Sequence, residues 1–200
     1  LTVRIKNFAY SIHLFRETTF SNVAVIGIGN LSTGGTGKSP MVEYIVNNYS
    51  HQYKIAILSR GYGRKTKGYR VCKPTDTYQE IGDEPLQFVS KFNNVVVAVS
   101  ENRRDGINKI MKEFPNIQMI ILDDSFQHRR VKPHLNILLT NYYDLYYKDF
   151  LLPTGNLREH ISNAKRANII IVSKCDKILS PIIERQVKEE LNPKTTQTLL

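Results

Sequence analysis

Short runs rich in valine and isoleucine recur along the chain, separated by segments of helical pattern. The apolar runs occupy residues 23–29, 54–59, 94–99, 117–122, 135–139 and 168–172. The helical patterns occupy residues 39–49, 83–92, 102–113, 156–166 and 178–191. Nearly continuous apolar runs are typical of strands covered on both faces, and their alternation with helices predicts an α/β fold. We therefore expect a doubly wound, mostly parallel sheet with helices on both faces.

The first twenty residues form a separate amphipathic pattern. As a helix, residues 1–20 would carry an apolar stripe beside basic side chains. The stripe consists of Ile5, Phe8, Ala9, Ile12 and Phe15. It would dock on the protein's own domain or lie in a membrane surface, and the pattern leaves both open. No apolar run reaches the roughly 18 residues of a transmembrane helix, and residues 21–195 are predicted to form one domain.

The charge balance narrows the classes of partner. Lysine and arginine number 28 against 18 acidic residues, a formal net charge of +10. Such a charge favours an anionic partner: a nucleotide, a nucleic acid, a lipid headgroup or a phosphorylated substrate. The two cysteines, Cys72 and Cys175, have neither disulfide-framework nor zinc-site spacing, which favours a reducing cytosolic setting.

The segment NLSTGGTGKSP, residues 30–40, follows the first predicted strand and precedes a helical pattern. It ends as a P-loop does: backbone amides cradle phosphate oxygens, Lys38 reaches the β- and γ-phosphates, and Ser39 can bind Mg²⁺. The strict pattern has glycine where this chain has Ser32, and a merely flexible glycine-rich turn is the alternative. The candidate nucleotide contacts are Ser32, Thr33, Gly34, Gly35, Thr36, Gly37, Lys38 and Ser39.

The segment IILDDSFQH, residues 120–128, is a hydrophobic strand ending in carboxylates, the Walker B arrangement that holds Mg²⁺ beside a P-loop. Asp123 and Asp124 would point different ways, so one could serve the metal and the other an attacking group. Gln127 and His128 become candidates for phosphate or substrate contacts. An acidic turn that caps the next segment is the alternative.

Two further segments carry candidate chemistry. In IGDEP, Asp83 is either the N-cap of a helix or a free carboxylate able to take a proton from a hydroxyl. In LLPTGNLRE, Arg158 and Glu159 are predicted to lie early in a helix, where an ordinary surface ion pair is the alternative to a functional role.

The segment SKCD, residues 173–176, follows the last apolar run and imitates the [NT]KxD signature of guanine-reading proteins. It keeps Lys174 and Asp176 but has Ser173 at the first position. It motivates a GTPase switch as an alternative function, although the glycine that such a switch needs after its metal aspartate is absent. A solvated strand end is the simpler interpretation.

Taken in order, GNLSTGGTGKSP, SRGYGRK, GDEP, DDSFQH and LLPTGNLRE resemble the tetraacyldisaccharide 4'-kinase family, the lipid A 4'-kinases, from about Val3 to Asp176. The resemblance implies a P-loop NTPase-like kinase using ATP and Mg²⁺. Its substrate would be the 4'-hydroxyl of an acylated glucosamine disaccharide 1-phosphate, at the cytoplasmic face of the bacterial inner membrane. Family members usually have glycine where this chain has Ser125.

The resemblance also implies roles for individual residues. Asp83 would be the general base, with Glu84 beside it, and Ser39, Glu84 and Asp123 would hold the metal. The catalytic set would be Asp83, Asp123, Asp124, His128, Arg158 and Glu159. Arg60, Arg64 and Gln127 would contact substrate, with Arg60 and Arg64 meeting its 1-phosphate or lipid headgroups.

The family normally continues into a second, smaller α/β domain, which we expect after residue 200. Residues 1–200 alone are therefore expected to bind ATP and Mg²⁺ weakly and to turn over lipid poorly. A nucleic-acid-binding ATPase is a further alternative that the charge motivates. The basic residues are spread along the chain without an evident stacking platform, so no nucleic-acid partner is expected.

Overall fold

The computed structural model describes Tyr10 and residues 15–200, and its strands form one sheet. The strands are β1 (Ala24–Gly29), β2 (Ile55–Ser59), β3 (Arg70–Val71), β4 (Val96–Val99), β5 (Met119–Leu122), β6 (Leu135–Asn141), β7 (Ile169–Ser173) and β8 (Thr198–Leu199). The α-helices are α1 (Lys38–Tyr49), α2 (Tyr78–Ile81), α3 (Asp83–Lys91), α4 (Arg103–Glu113) and α5 (Pro181–Leu191). Two 3-10 helices span Tyr146–Lys148 and Ile161–Arg166.

The strand order is β3-β4-β2-β5-β1-β6-β7-β8, and every pairing is parallel except that of β3 with β4. The predicted doubly wound, mostly parallel sheet is confirmed, as are its six long strands. The short elements β3, α2 and β8 were not predicted. Because β8 pairs with β7, the sheet extends beyond residue 195, where the domain was predicted to end.

One of the predicted helices is wrong in its first half. Residues 156–160 contain no helix, and only a 3-10 helix, Ile161–Arg166, follows them. The physical reason is a non-local backbone pairing: Leu157 forms an antiparallel bridge with Ser32, which an α-helix at that point would prevent.

Alternate residues of the strands pack on opposite faces of the sheet. One face contacts α1 and α3 through Val42, Val46 and Phe88, all fully buried. The other face contacts α4 through Ile107 and Ile110, also fully buried. A third cluster covers β6 and β7 with α5 and the 3-10 helices. Burial on both faces explains why the strands read as continuous apolar runs.

The carboxyl ends of the parallel strands meet at one edge of the sheet. Strand β1 lies between β5 and β6, so the loop after β1 occupies the middle of that edge. The loops after β2, β5 and β7 lie at the same edge, where open α/β sheets bind their ligands. The topology therefore gathers most of the sequence motifs around residues 30–37.

Most of the predicted amphipathic segment 1–20 lies outside the described residues. Of its apolar stripe only Phe15 is described, and it is 50% exposed. Further along, Thr18 pairs through its backbone with Arg130 and Lys132, which attaches this part of the chain to the segment before β6. None of the described helices combines the length and apolarity needed to cross a bilayer.

Candidate active site

The loop over residues 30–37 has the backbone of a phosphate-binding loop. Gly34 and Gly37 have positive φ angles of 104° and 84°, which favour glycine. Gly37 caps α1, so the amino end of that helix opens into the loop at Lys38. Inside the loop, the buried Asn30 side chain donates from Nδ2 to Thr36 Oγ1 at 2.9 Å. The backbone amides of such a loop and the amino end of the helix favour an anion at this position.

Ser32 occupies the position where the strict P-loop pattern has glycine, and its backbone does not require one. It is buried, forms the antiparallel bridge with Leu157, and is not among the described residues with positive φ. The neighbouring amide of Thr33 donates to the carbonyl oxygen of Asn156 at 2.8 Å. At this corner the P-loop is shaped by extended backbone pairing rather than by a glycine turn.

Asp124 joins the P-loop lysine to the arginine of LLPTGNLRE. Arg158 donates two hydrogen bonds to its carboxylate, at 3.0 and 2.9 Å, and Lys38 Nζ lies 3.6 Å from Oδ1. Arg158 also donates to Asn30 Oδ1. Burial raises the pKa of Asp124, but the hydrogen bonds and charge of Arg158, together with Lys38, hold it below its ordinary value. Asp124 therefore holds two cationic side chains, Lys38 and Arg158, beside the phosphate-binding loop.

Asp123 is fully buried beside Asp124 and points into a different environment. Its Oδ2 accepts a hydrogen bond from Ser59 Oγ at 3.0 Å, and its backbone carbonyl accepts one from Arg103 at 2.9 Å. Its Oδ1 is buried without a hydrogen-bond partner among the described residues. Burial, followed by the charges of Glu84 and Asp124, raises the pKa of Asp123 to about 7.

The three residues predicted to hold a metal lie together. Ser39 Oγ donates to Glu84 Oε1 at 3.3 Å, and the Glu84 charge acts on Asp123. An orphaned buried carboxylate oxygen is the kind of ligand that a hard cation satisfies. The described part of the chain holds no group of three or more His, Cys, Asp or Glu side chains suited to a metal. Mg²⁺ commonly uses one or two carboxylates together with water and phosphate oxygens, so the residues fit it.

Asp83 is exposed, and its interpretation as an N-cap is wrong. The cap of α3 is Gly82, with a φ of 90°, and Asp83 is the first helical residue. A Cβ at Gly82 would lie 3.1 Å from the Cα of Gly61, so the cap packs against the loop after β2. Glycine is required here by both φ and contact. Asp83 therefore begins its helix next to the loop after β2, and its neighbour Glu84 accepts a hydrogen bond from Ser39 of the P-loop helix.

The two arginines predicted to contact substrate differ in their surroundings. Arg60 is exposed at the end of β2. The Arg64 side chain is only 2% exposed and donates at 2.6 Å to both Glu101 and the carbonyl of Gly68. Arg64 therefore stabilises the loop that contains it. Its contact with substrate stays a prediction.

Comparisons with known proteins agree on one family. The family model for the tetraacyldisaccharide-1-P 4'-kinases, LpxK, matches residues 1–199. The chain belongs to this family. It is 49% identical over 187 residues to a tetraacyldisaccharide 4'-kinase from Flavobacterium psychrophilum, covering 94% of this chain and 54% of that protein. A Flavobacterium johnsoniae relative of the same name is 45% identical over 199 residues, covering all of this chain and 58% of that protein.

A solved structure with the same fold is LpxK from Aquifex aeolicus in complex with ATP. It is 32% identical, with a TM-score of 0.79, and the match covers 90% of this chain and 58% of that one. The chain thus spans about half the length of the curated relatives it matches. Membership of this kinase family does not favour the GTPase or nucleic-acid-binding alternatives.

Three other residues of the predicted site, Gln127, His128 and Glu159, are placed as follows. Gln127 Nε2 donates to the carbonyl of Asn30 at 2.9 Å, and His128 is close enough to lower the pKa of Asp124. Glu159 is buried and pairs with Arg166. Arg158 pairs with Asp124 and Glu159 with Arg166, and both pairs are largely buried, so the interpretation as an ordinary surface ion pair is wrong.

Ser125 stands where the family resemblance predicts glycine, and it fits its position without strain. It is buried, and its Oγ donates to the carbonyl of Ile28 at 3.3 Å. The left-handed backbone of this turn falls on Asp124, with φ 45°, rather than on Ser125. A Cβ on Gly27 would lie 3.0 Å from Ser125 Oγ, so that glycine makes room for the added hydroxyl.

Sequence reasoning missed the buried residues that support the site. Asn30 donates a hydrogen bond within the P-loop. Ser59 donates to the Asp123 carboxylate, and Arg103 donates to the Asp123 backbone carbonyl. Arg103 also donates to the carbonyl of Ser100 at 2.6 Å. Its segment SENRRD follows β4 at the same sheet edge as the recognised motifs, and that position was a signal for it.

Proposed function

We propose that the protein is an ATP-dependent kinase that phosphorylates the 4'-hydroxyl of an acylated glucosamine disaccharide 1-phosphate. The observation that carries this proposal is the convergence of Lys38, Asp124 and Arg158 on the phosphate-binding loop. Family membership supports the substrate class, and the Aquifex relative solved with ATP supports the nucleotide.

The site provides the charge neutralisation that phosphoryl transfer needs. The loop amides and Lys38 would bind the ATP phosphates, and Arg158 would add a second cation near the transferred group. Ser39, Glu84 and Asp123 would hold Mg²⁺, which when bound neutralises phosphate charge. This chemistry depends on positioning and electrostatics rather than on a covalent intermediate with the protein.

Asp83 is proposed as the general base. Its carboxylate is exposed beside the site and would accept the proton of the 4'-hydroxyl. The hydroxyl oxygen then bonds to the γ-phosphorus as the bond to the ADP oxygen breaks. In this reaction Asp124 would hold Lys38 and Arg158 in place, and Gln127, His128 and Glu159 would support the arrangement.

The substrate and the location follow from the same proposal. Arg60, and Arg64 if its loop opens, would meet the 1-phosphate of the disaccharide lipid. Because that substrate is acylated and ATP is cytoplasmic, we propose a peripheral position at the cytoplasmic face of the bacterial inner membrane. The net charge of +10 supports contact with anionic lipid. A second, smaller domain after residue 200 remains part of the proposal.

The test is transfer of radiolabel from [γ-³²P]ATP to a disaccharide 1-phosphate lipid by the whole protein. Asp83→Ala should lower turnover by orders of magnitude and leave ATP binding intact, because only proton transfer is lost. Lys38→Ala should weaken ATP binding itself. Glu189→Ala, on the exposed face of α5, is the control. Near-normal turnover by Asp83→Ala, or tighter binding of GTP than of ATP, would contradict the proposal.

A further inference from the structure

The SKCD segment at the end of β7 lies against the P-loop. Ser173 Oγ is 2.9 Å from the carbonyl oxygen of Thr36 and 3.1 Å from that of Thr140, so its hydroxyl ties β7 to both. A Cβ on Gly37 would be 3.6 Å from the Ser173 Cβ. The interpretation of SKCD as a merely solvated strand end does not account for these contacts.

Lys174 extends over the P-loop from an unusual backbone conformation. Its φ is 61°, in the left-handed region that costs a non-glycine residue about 1 kcal/mol or more. Its side chain is exposed, and its Nζ lies 3.8 Å from the position of a Cβ on Gly35. The turn therefore directs a long, partly apolar side chain toward the phosphate-binding loop.

Asp176 and Tyr143 form a polar and apolar surface next to Lys174. Tyr143 OH donates to Asp176 Oδ1 at 3.1 Å, and Asp176 is exposed. The Tyr143 side chain is 70% exposed, and Ile178, two residues after Asp176, is 88% exposed. Exposed apolar groups around a carboxylate acceptor, beside a phosphate site, provide what a nucleobase requires: a face to pack on and a partner for an N–H group.

We propose that Lys174, Asp176 and Tyr143 form the base subsite for the nucleoside triphosphate. The alkyl stem of Lys174 packs on the base, and the Asp176 carboxylate accepts a hydrogen bond from the exocyclic amino group of adenine. Tyr143 already donates to Oδ1, so Oδ2 is the oxygen that faces the base. At the position of the adenine amino group guanine has a carbonyl oxygen, which cannot donate to a carboxylate. This inference rests on the proposed use of ATP.

The test measures displacement of a fluorescent ATP analogue by ATP, purine riboside triphosphate, GTP and inorganic triphosphate. Purine riboside triphosphate has a hydrogen atom in place of the amino group, and inorganic triphosphate lacks the base. The unsubstituted chain should bind ATP about tenfold more tightly than purine riboside triphosphate, because a site built for an N–H donor rejects the analogue without it. Asp176→Ala should remove that preference while leaving inorganic triphosphate affinity unchanged.

Lys174→Ala should weaken ATP several-fold more than inorganic triphosphate. Lys177→Ala and Glu189→Ala remove the same charges from exposed positions and should change neither affinity. Equal losses for ATP and inorganic triphosphate would overturn the base subsite in favour of a phosphate contact. Unchanged ATP affinity in both variants would place the base elsewhere, and an Asp176-dependent preference for GTP would overturn the adenine assignment. A different result would contradict the proposed kinase function itself: the protein binds no nucleotide, or Lys38→Ala leaves nucleotide affinity unchanged.

Discussion

Neutralising the buried Asp123 should make the metal-free protein more stable at alkaline pH. The fold raises the pKa of this carboxyl from 3.8 to about 7, chiefly through burial. Each pKa unit corresponds to about 1.4 kcal/mol, so the ionised carboxylate costs the folded state about 4 kcal/mol relative to the unfolded chain. Asp123→Asn removes that cost and retains the shape and an acceptor for Ser59.

The sign of the pH dependence follows from proton binding. Above about pH 4 the unfolded chain releases this proton, whereas the folded protein keeps it up to about pH 7. Over that window the folded state binds more protons, so wild-type stability falls as pH rises. The difference in unfolding free energy, Asp123→Asn minus wild type, should therefore grow by about 3 kcal/mol between about pH 5 and about pH 8.

Urea unfolding in a chelator, followed by far-UV circular dichroism at several pH values, measures this difference. Any free-energy cost of packing the asparagine amide in the carboxylate's place is the same at each pH, so it does not affect how the difference in unfolding free energy changes with pH. Asp83→Asn is the matched control, because its carboxylate is exposed and its neutralisation relieves no burial. A difference that stays flat or shrinks with rising pH would refute the reasoning.

Three further outcomes follow from the structure. Arg158→Ala should lower the unfolding free energy by about 1–3 kcal/mol near neutral pH, since it breaks a partly buried pair. The loss should shrink in acid, because the lowered pKa of Asp124 confines the stabilisation by that pair to pH above that value, whereas the hydrogen bond to Asn30 does not depend on pH. Iodoacetamide should label Cys175 well before Cys72 at about pH 8, because Cys72 is buried and its pKa is raised to about 12. Arg64→Ala should speed hydrogen exchange across residues 60–70 several-fold, since it removes the pair with Glu101.

Each of these outcomes has a control within the chain. Arg185→Ala removes an exposed arginine of α5 and should change stability little at any pH. In denaturant the two cysteines should react at similar rates, which separates burial from local sequence. Lys67→Ala removes an exposed charge from the same loop as Arg64 and should leave hydrogen exchange unchanged. Equal effects of test and control variants would show that the cited contacts do not matter.

The sequence pattern predicts well what depends on local composition. Valine and isoleucine runs identify the six long strands, because strands covered on both faces must be apolar at every position. The P-loop can also be predicted from the sequence, since Gly34 and Gly37 lie where a positive φ is required. Contacts between distant segments are harder to predict. Nothing local to Arg103 shows that it will be buried against the Asp123 carbonyl, because that contact depends on how β4 and β5 are arranged in the sheet.

Two apparent irregularities, Ser32 in the P-loop and the absent helix at residues 156–160, have one structural cause. The chain turns at residues 152–154 and then passes beside the start of the P-loop, so that Leu157 pairs with Ser32. Ser32 forms this bridge without a positive φ angle, so glycine is not needed at position 32, and the same pairing prevents a helix at 157. It also places Arg158 where its guanidinium contacts both Asp124 and Asn30. The missing glycine and the arginine of the site are therefore two consequences of the same backbone pairing.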